Sequence, residues 1–179
     1  LYFGVTLSNY YLENVKGDDN ETLTMRAEAR FMRAMFMYYL MDLYGNVPIK
    51  TSVSSESTPQ SSRSEVFAFV EKELKDIVGD GEGNELLADK RATYGRADKV
   101  AGWILLSRLY LNAEVYTGSA QWQKAKDYAD KAIKAGYSLC TEGKNGYSAY
   151  QLLFMGDNDT NGAQSEIVLP AIHDGMERQ

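Results

Sequence analysis

Apolar residues recur at helical spacing along most of the chain. The first series has four members at four-residue steps: Phe3, Leu7, Tyr11 and Val15. This series predicts an amphipathic helix that buries the face it defines and ends at Gly17. The next stretch, from about Glu21 to Tyr44, is apolar on every side from Phe31 onward. Because such a helix needs neighbours on several faces, we expect it at the centre of the core.

Three more helices follow from the same kind of pattern. Ser62 and Glu65 have the spacing of a capping box, which predicts a helix that begins there and runs to Gly79. The stretch from Ala97 to about Val115 is apolar on two sides and predicts an interior helix. The stretch from Gln121 to Ala135 predicts an amphipathic helix. Its predicted inward residues are Trp122, Ala125, Ala129, Ala132 and Ile133.

From Thr141 onward the chain loses this periodicity and becomes rich in polar and turn-forming residues. The pattern as a whole predicts an all-α fold, a single region over residues 1–179 built of antiparallel helix hairpins, with a loop-rich C-terminal end. Trp122, Ala125 and Ala132 have the spacing found in the second helix of a tetratricopeptide unit. Since small residues at this spacing let a paired helix approach closely, the hairpins are predicted to be tetratricopeptide-like.

Composition excludes several functional classes. The 179 residues carry a net charge of −6 and no dense run of Lys or Arg, which argues against nucleic acid as a partner. The single cysteine, Cys140, and the single histidine, His173, rule out an internal disulfide and metal sites built from several thiolates or two imidazoles. The least polar run, Phe31 to Met41, has eleven residues. A helix that spans a bilayer needs about 20 apolar residues.

One candidate for ligand chemistry is a possible calcium loop. Asp157, Asp159 and Asn161, followed by Gly162, match the first half of such a loop. The twelfth loop position, where calcium requires a bidentate carboxylate, holds Val168. We therefore favour a polar turn without metal and expect no cofactor, with calcium as the alternative.

A second candidate group consists of four tyrosines in or beside polar loops: Tyr94, Tyr116, Tyr147 and Tyr150. An exposed ring in such a place can stack on the face of a sugar, and the alternative is an exposed tyrosine without a ligand. Catalysis has little support, because a nucleophilic Cys140 would need His173 as its partner and the chain has no G-x-S-x-G elbow. We therefore do not expect an enzyme.

Several local strings go further and resemble a known family. The segment from Arg26 to Pro48 resembles the E-A-R-F-L-R-A…L-Y-G-D-V-P signature of the SusD/RagB family, outer-membrane nutrient-binding lipoproteins of Bacteroidetes. Shorter matches follow in the family's order: Gly95-Arg96-Ala97, Trp122 with Ala125, Gly136-Tyr137, and Ser165 to Val168. On this combination, which covers nearly the whole chain, the protein is identified as a member of the family.

The resemblance implies a scaffold of tetratricopeptide-like hairpins in a non-enzymatic protein at the cell surface of the outer membrane. It implies a glycan or oligosaccharide ligand and a SusC-type TonB-dependent transporter as partner. Attachment to the membrane would come only through a lipid anchor outside this chain. We expect the chain to be a segment of a longer protein. Because glycan contacts in the family come largely from variable loops, the resemblance transfers no binding residue. The alternative is an intracellular tetratricopeptide-type scaffold for protein–protein interaction.

Overall fold

The computed structural model describes residues 1–91 and 93–172, and His173 lies outside them. Within these ranges the α-helices are α1 (Tyr2–Asn14), α2 (Asn20–Tyr44), α3 (Arg63–Val78), α4 (Lys99–Leu111), α5 (Ala113–Thr117), α6 (Trp122–Ile133) and α7 (Ala149–Leu152). A one-turn 3₁₀-helix follows at Ala163–Ser165. The described residues form no β-strand, only isolated bridges between Val47 and Ser61 and between Lys144 and Tyr147. The prediction of an all-α fold is confirmed.

Local signals set most helix boundaries. The predicted capping box opens α3, since the Glu65 backbone N–H donates to Ser62 Oγ (3.3 Å) and the Ser62 N–H donates to Glu65 Oε2 (2.7 Å). Gly79 closes α3 in the left-handed conformation, at a φ of 86° that glycine adopts without a Cβ penalty. The predicted helix over Ala97 to Val115 is instead two helices, because Asn112, at φ −99° and ψ 10°, interrupts it between α4 and α5.

The longest helix, α2, lies at the centre of the core, as its pattern predicts. Its fully buried side chains include Phe31, Met37, Tyr38 and Met41. It packs against α1, α3 and α4, so apolar residues on several of its faces meet other helices, while Leu43 and Tyr44 at its end are exposed. Across the described ranges, no helix combines the length and the apolar character needed to cross a membrane.

The predicted inward face of α1 is wrong. Phe3 is 75% exposed and Leu7 is also exposed, whereas the buried positions are Val5, Ser8, Asn9 and Leu12. Two features of this second face bring it against α2. A Cβ at Gly4 would collide with the ring of Phe36, so glycine permits a close approach of the two helices. Asn9 accepts a hydrogen bond from Arg33 Nη1 (3.0 Å), and a buried polar pair of this kind outweighs the spacing of the apolar residues.

Charged residues of α2 form a buried network with α3 and the loop after it. Arg33 Nη2 lies 2.5 Å from Glu73 Oε2, and Arg30 Nη2 lies 2.8 Å from Glu73 Oε1 and 3.0 Å from Asp76 Oδ2. Arg26 Nε lies 2.6 Å from Glu85 Oε1. Burial alone would lower the pKa of the Arg30 guanidinium, but its hydrogen bond and charge interaction with Glu73 leave that pKa raised. The network ties the arginines of the signature segment to acidic residues that lie far away in sequence.

The predicted inward face of α6 is only partly right. Ala125 and Tyr128 are buried against α4, and Ala129 and Ala132 are half-buried, but Trp122 is 63% exposed and Ile133 is exposed. The ring that anchors this hairpin is Tyr128, which stacks on Tyr110 of α4 with ring centroids 5.6 Å apart. Ser107 Oγ of α4 donates to the Ala125 carbonyl (2.8 Å), an approach that the small Ala125 side chain permits. The predicted close pairing of two helices is confirmed, with a different aromatic anchor.

Candidate functional site

Residues 141–172, which we call the loop-rich end, carry a pair of solvent-exposed rings. Tyr150 is 71% exposed and Phe154 is 73% exposed. Their ring centroids lie 5.1 Å apart with an interplanar angle of 61°, an edge-to-face arrangement. A capping box between Ser148 and Gln151 starts α7, and the backbone stays helical as far as Leu153. Tyr150 and Phe154, four residues apart, therefore lie on the same side. Tyr147, just before α7, is also exposed.

A cleft of about 530 Å³ lies between Tyr94 and the loop-rich end. Its lining residues are Tyr94, Met155, Gly156, Asn158, Asp159, Pro170, Ala171 and Ile172. The Tyr94 hydroxyl donates to Asn158 Oδ1 (3.3 Å), so the ring is held across the cleft. Burial has the largest effect and raises the pKa of Tyr94, the positive charge of Arg91 lowers it, and the negative charge of Asp159 raises it. The phenol therefore stays neutral and available as a hydrogen-bonding group at physiological pH.

A buried carboxylate at the start of α4 lies close to Tyr94 in sequence and holds the segments around Arg91 and Tyr137. Asp98 is fully buried, and its Oδ1 accepts hydrogen bonds from the backbone N–H groups of Val100 (3.0 Å) and Ala101 (3.1 Å). Its Oδ2 accepts from the Arg91 N–H (3.1 Å) and from the Tyr137 hydroxyl (2.6 Å). Burial, and then the bond to Asp98, raise the pKa of Tyr137. The carboxylate thus caps α4 and fixes two neighbouring segments at once.

The interpretation of Tyr116 as an exposed stacking ring is wrong. Its ring is buried against Phe67 and Tyr38. The hydroxyl donates to Asp42 Oδ1 (2.6 Å), and burial followed by this bond raises the pKa of the phenol. The break at Asn112 turns α5 so that Tyr116 faces the core, which its polar sequence neighbours do not reveal.

The residues of the alternative calcium loop form a hydrogen-bonded turn. Asn161 is buried, its Nδ2 donates to the Leu152 carbonyl and to Asp157 Oδ1 (both 3.0 Å), and its Oδ1 accepts from the Ala163 N–H (2.9 Å). The Asn161 amide oxygen, which a cation would need, already accepts a backbone hydrogen bond. In residues 1–91 and 93–172, no three His, Cys, Asp or Glu side chains come together in a way that could hold a metal ion. The geometry is that of the polar turn favoured from the sequence.

A second cavity, of about 510 Å³, is a groove along α4 and α6. Its apolar lining includes Ile104, Ala129, Ala132, Ile133, Leu139 and Val168. Polar residues such as Arg108, Tyr137 and Glu166 also line it, but the lining is mainly apolar, so the groove suits a hydrophobic group better than a glycan. We therefore keep it apart from the candidate site.

Sequence reasoning identified three tyrosines of the candidate site and missed the residues that accompany them. Tyr94, Tyr147 and Tyr150 lie in the cleft or on the exposed surface of the loop-rich end. The missed residues are Phe154, which pairs with Tyr150, and Asn158, which bonds Tyr94. The four-residue spacing of Tyr150 and Phe154 within a polar stretch was an available signal for the first of these. The contact between Tyr94 and Asn158 spans 64 residues and left no such signal.

These features define first a class of protein, a tetratricopeptide-like scaffold of helix hairpins with an aromatic, loop-rich surface at one end. Residues 1–111 match a SusD-like family model described as starch-binding associating with outer membrane. The chain belongs to the SusD-like family. Over 178 residues, or 98% of its length, it is 40% identical to the starch-binding protein SusD of Bacteroides thetaiotaomicron. It spans 30% of the length of that relative.

Solved structures share the fold. A SusD-like protein of Bacteroides fragilis superposes with a TM-score of 0.75 at 23% identity, covering 98% of this chain and 33% of that one. A laminarin-binding SusD-like protein gives a TM-score of 0.73 at 22% identity, with 94% of this chain and 35% of that one covered. A structure with a xylogluco-oligosaccharide gives 0.73 at 24% identity, covering 90% and 32%. At these identities the likeness establishes the fold.

Proposed function

We propose that this chain is part of a non-enzymatic, surface-exposed glycan-binding protein and that it contacts oligosaccharide through its loop-rich end. The observation that carries the proposal is the exposed pair Tyr150–Phe154 on the same segment as the cleft beside Tyr94. Met155, which lines the cleft, directly follows Phe154. Family membership supports the ligand class, since the names of relatives concern starch, laminarin and a xylogluco-oligosaccharide.

The two parts of the site suit the two kinds of surface on a sugar. A pyranose ring has a face of C–H groups that packs on an aromatic ring, and an edge of hydroxyl groups that needs hydrogen-bond partners. Tyr150 and Phe154 offer the aromatic surface, and Asn158 and Asp159 offer polar groups in the cleft. The cleft volume of about 530 Å³ lies within the usual range of ligand pockets.

Charge narrows the ligand class to neutral glycans. The chain carries a net charge of −6, and Asp159 lines the cleft. An acidic sugar would bring a carboxylate close to this side chain, and like charges at short range repel. A neutral oligosaccharide has no such penalty, and its hydroxyls can donate hydrogen bonds to the Asp159 carboxylate.

Calorimetric titration of the chain with malto-, laminari- and xylogluco-oligosaccharides tests this proposal. The double variant Tyr150→Ala/Phe154→Ala is expected to bind about thirtyfold more weakly, since two aromatic contacts contribute on the order of 1 kcal/mol each. Tyr10→Ala is the matched control, because Tyr10 is an exposed ring on α1. If the unaltered chain binds none of the three oligosaccharides, the proposal is contradicted. Equal affinity of the double variant and the unaltered chain would show that the aromatic pair is not part of the binding site.

We further propose that the parent protein is lipid-anchored at the outer membrane and passes its ligand to a SusC-type TonB-dependent transporter. The support is the family description, which links starch binding with the outer membrane. This description favours a surface role over an intracellular tetratricopeptide adaptor. Affinity purification of the protein from detergent-solubilised membranes of its native cells tests the partnership. Co-purification of a TonB-dependent transporter is the expected result. Purification of the protein from these membranes without a transporter would contradict the partnership.

A further inference from the structure

One arginine connects the loop-rich end to the helices. The Arg91 guanidinium donates through Nη2 to the Gln164 carbonyl (3.0 Å) and through Nη1 to the Val168 carbonyl. Gln164 lies within the 3₁₀-helix, and Val168 lies three residues after its end. A planar guanidinium presents several N–H donors in a fixed fork, so one side chain holds both carbonyls in a defined relation.

The same guanidinium lies between two aromatic rings. The Arg91 guanidinium carbon is 4.8 Å from the centroid of the Tyr94 ring and 5.3 Å from that of the Tyr137 ring. Both distances are within the range of a cation–π contact. The Arg91 backbone N–H and the Tyr137 hydroxyl both bond to the buried Asp98 carboxylate. Arg91 is therefore anchored at the start of α4 through its backbone and through one of its two stacking partners.

These contacts connect Arg91 to two walls of the cleft. Tyr94 forms one wall and stacks on the guanidinium. Pro170 to Ile172 form another wall, and they begin two residues after Val168, whose carbonyl Arg91 holds. Arg91 thus contacts both walls at once, alongside the bond between Tyr94 and Asn158, and neither residue pattern nor motif marks it as functional.

Other contacts also reach the loop-rich end, but each holds it at a single point. The Tyr94 hydroxyl bonds Asn158, the Cys140 N–H donates to Glu166 Oε2 (2.9 Å), and Gly95 lies against the Ile172 side chain.

Within the described ranges, helix α7 of the loop-rich end has no extensive packing against α1–α6. Val168 and Leu169 pack on the edge of the core, but apolar contacts are not directional and tolerate sliding. The Ser138 N–H donates to the Ser165 carbonyl (3.1 Å), which joins the loop-rich end only to the connecting segment after α6.

We infer that Arg91 is a positioning residue of the candidate glycan cleft, holding Tyr94 and the 164–168 segment in a fixed relation that favours binding of an oligosaccharide. The role depends on the guanidinium itself. Lysine keeps the charge but offers a single ammonium, which cannot bond both carbonyls while stacking flat between two rings. Pre-organising the cleft in this way lowers the ordering cost of binding.

Hydrogen exchange measured by mass spectrometry on Arg91→Lys tests the positioning directly. Backbone exchange in residues 155–168 is expected to rise about tenfold, since the lost bonds involve a charged group. Exchange in α1–α3 is expected to stay unchanged. Arg108→Lys is the matched control, because the Arg108 guanidinium is exposed and lies 5.8 Å from the centre of the Tyr38 ring. Unchanged exchange in residues 155–168 of Arg91→Lys would overturn the inference.

A second variant covers the case in which Arg91→Lys perturbs the whole fold. Tyr137→Leu removes one stacking ring and its hydroxyl bond to Asp98, and it leaves both carbonyl acceptors of Arg91 in place. Tyr137→Phe, which removes only the hydroxyl, separates the two losses. Exchange of Tyr137→Leu in residues 155–168 is expected to lie between that of the unaltered chain and that of Arg91→Lys. Equal exchange in Tyr137→Leu and the unaltered chain would show that stacking does not hold Arg91.

The binding consequence rests on the proposed function and is measured separately. With an oligosaccharide that the unaltered chain binds, Arg91→Lys is expected to weaken affinity about tenfold at an unchanged melting temperature. Arg108→Lys is expected to bind normally. If the unaltered chain binds none of the three oligosaccharides, the proposed function fails while the exchange data still decide the role of Arg91. If it binds and Arg91→Lys binds equally well, the inference fails while the proposed function stands.

Discussion

The helical region up to Ile133 and the loop-rich end are built on different physical principles. In the helical region, residues such as Phe31, Met37 and Leu106 are fully buried, and the α2 arginines are paired with acids of α3. In the loop-rich end, Tyr150 and Phe154 face solvent, and turns and side-chain bonds to the backbone define the shape. A helical region stabilised by burial can support a second region whose aromatic rings stay exposed. Binding residues commonly lie on loops that a rigid scaffold positions in this way.

The largest expected effect is a loss of stability when the buried charge network of the helical region is broken. Glu73→Gln removes the charge that Arg30 and Arg33 share and leaves two largely buried guanidinium groups without it. Breaking a buried ion pair destabilises by about 3 to 5 kcal/mol. Urea unfolding followed by circular dichroism measures this loss. Lys126→Ala, which removes an exposed ion pair with Asp130 on α6, is the control and is expected to unfold close to the unaltered chain. A Glu73→Gln protein of unchanged stability would show that the network does not hold the helical region.

A smaller effect tests where α6 meets α4. Ala125→Leu inserts a larger side chain where α6 approaches Ser107, and overpacking of this kind costs about 1 to 3 kcal/mol. Ala129→Leu places the same side chain beside the open apolar groove and is expected to change stability by about 0.5 kcal/mol or less. Thermal unfolding of the two variants gives the comparison. The reverse order of stabilities would move the helix contact from Ala125 to Ala129.

A pH-dependent effect is expected in the helical region. Burial alone would raise the pKa of Asp76, but hydrogen bonds from Lys72, the Glu82 N–H and Arg30 hold it below its ordinary value of 3.8. A carboxyl group with a lowered folded-state pKa stabilises the fold above its unfolded-state pKa, and this stability is lost as the pH falls below about 4. Melting temperatures between pH 7 and pH 3 are expected to fall less steeply for Asp76→Asn than for the unaltered chain. Parallel curves would show that Asp76 is not linked to acid unfolding.

The smallest expected effect lies in the loop-rich end. Phe154→Ala removes a large apolar side chain, yet it should change the free energy of unfolding by about 0.5 kcal/mol or less because the ring is 73% exposed. Tyr110→Ala is the contrasting variant, since its ring is fully buried and such truncations cost about 3 to 5 kcal/mol. Thermal unfolding distinguishes them. Strong destabilisation by Phe154→Ala would make that ring part of the core rather than part of a binding surface.

Features that depend on near neighbours in sequence were predictable. The capping box of Ser62 and Glu65, the glycine end of α3 and the central place of α2 all follow from residues within a few positions of one another. Three predictions failed where a distant partner decided the outcome. Asn9 and Arg33 chose the buried face of α1, the stack of Tyr128 on Tyr110 replaced Trp122 as anchor, and Asp42 drew Tyr116 into the core.

The sequence by itself determined the helices, the all-α class, the family and the tyrosines from which candidates were drawn. Helix periodicity and capping act over a few residues, so the chain reveals them without its partners. Only the tertiary structure decided which face of α1 is buried, which tyrosines remain free and that Arg91 joins Tyr94 to the 164–168 segment. The contacts of Arg91 with Gln164 and Val168 span 73 and 77 residues, and side chains so far apart meet only when the helices between them have packed.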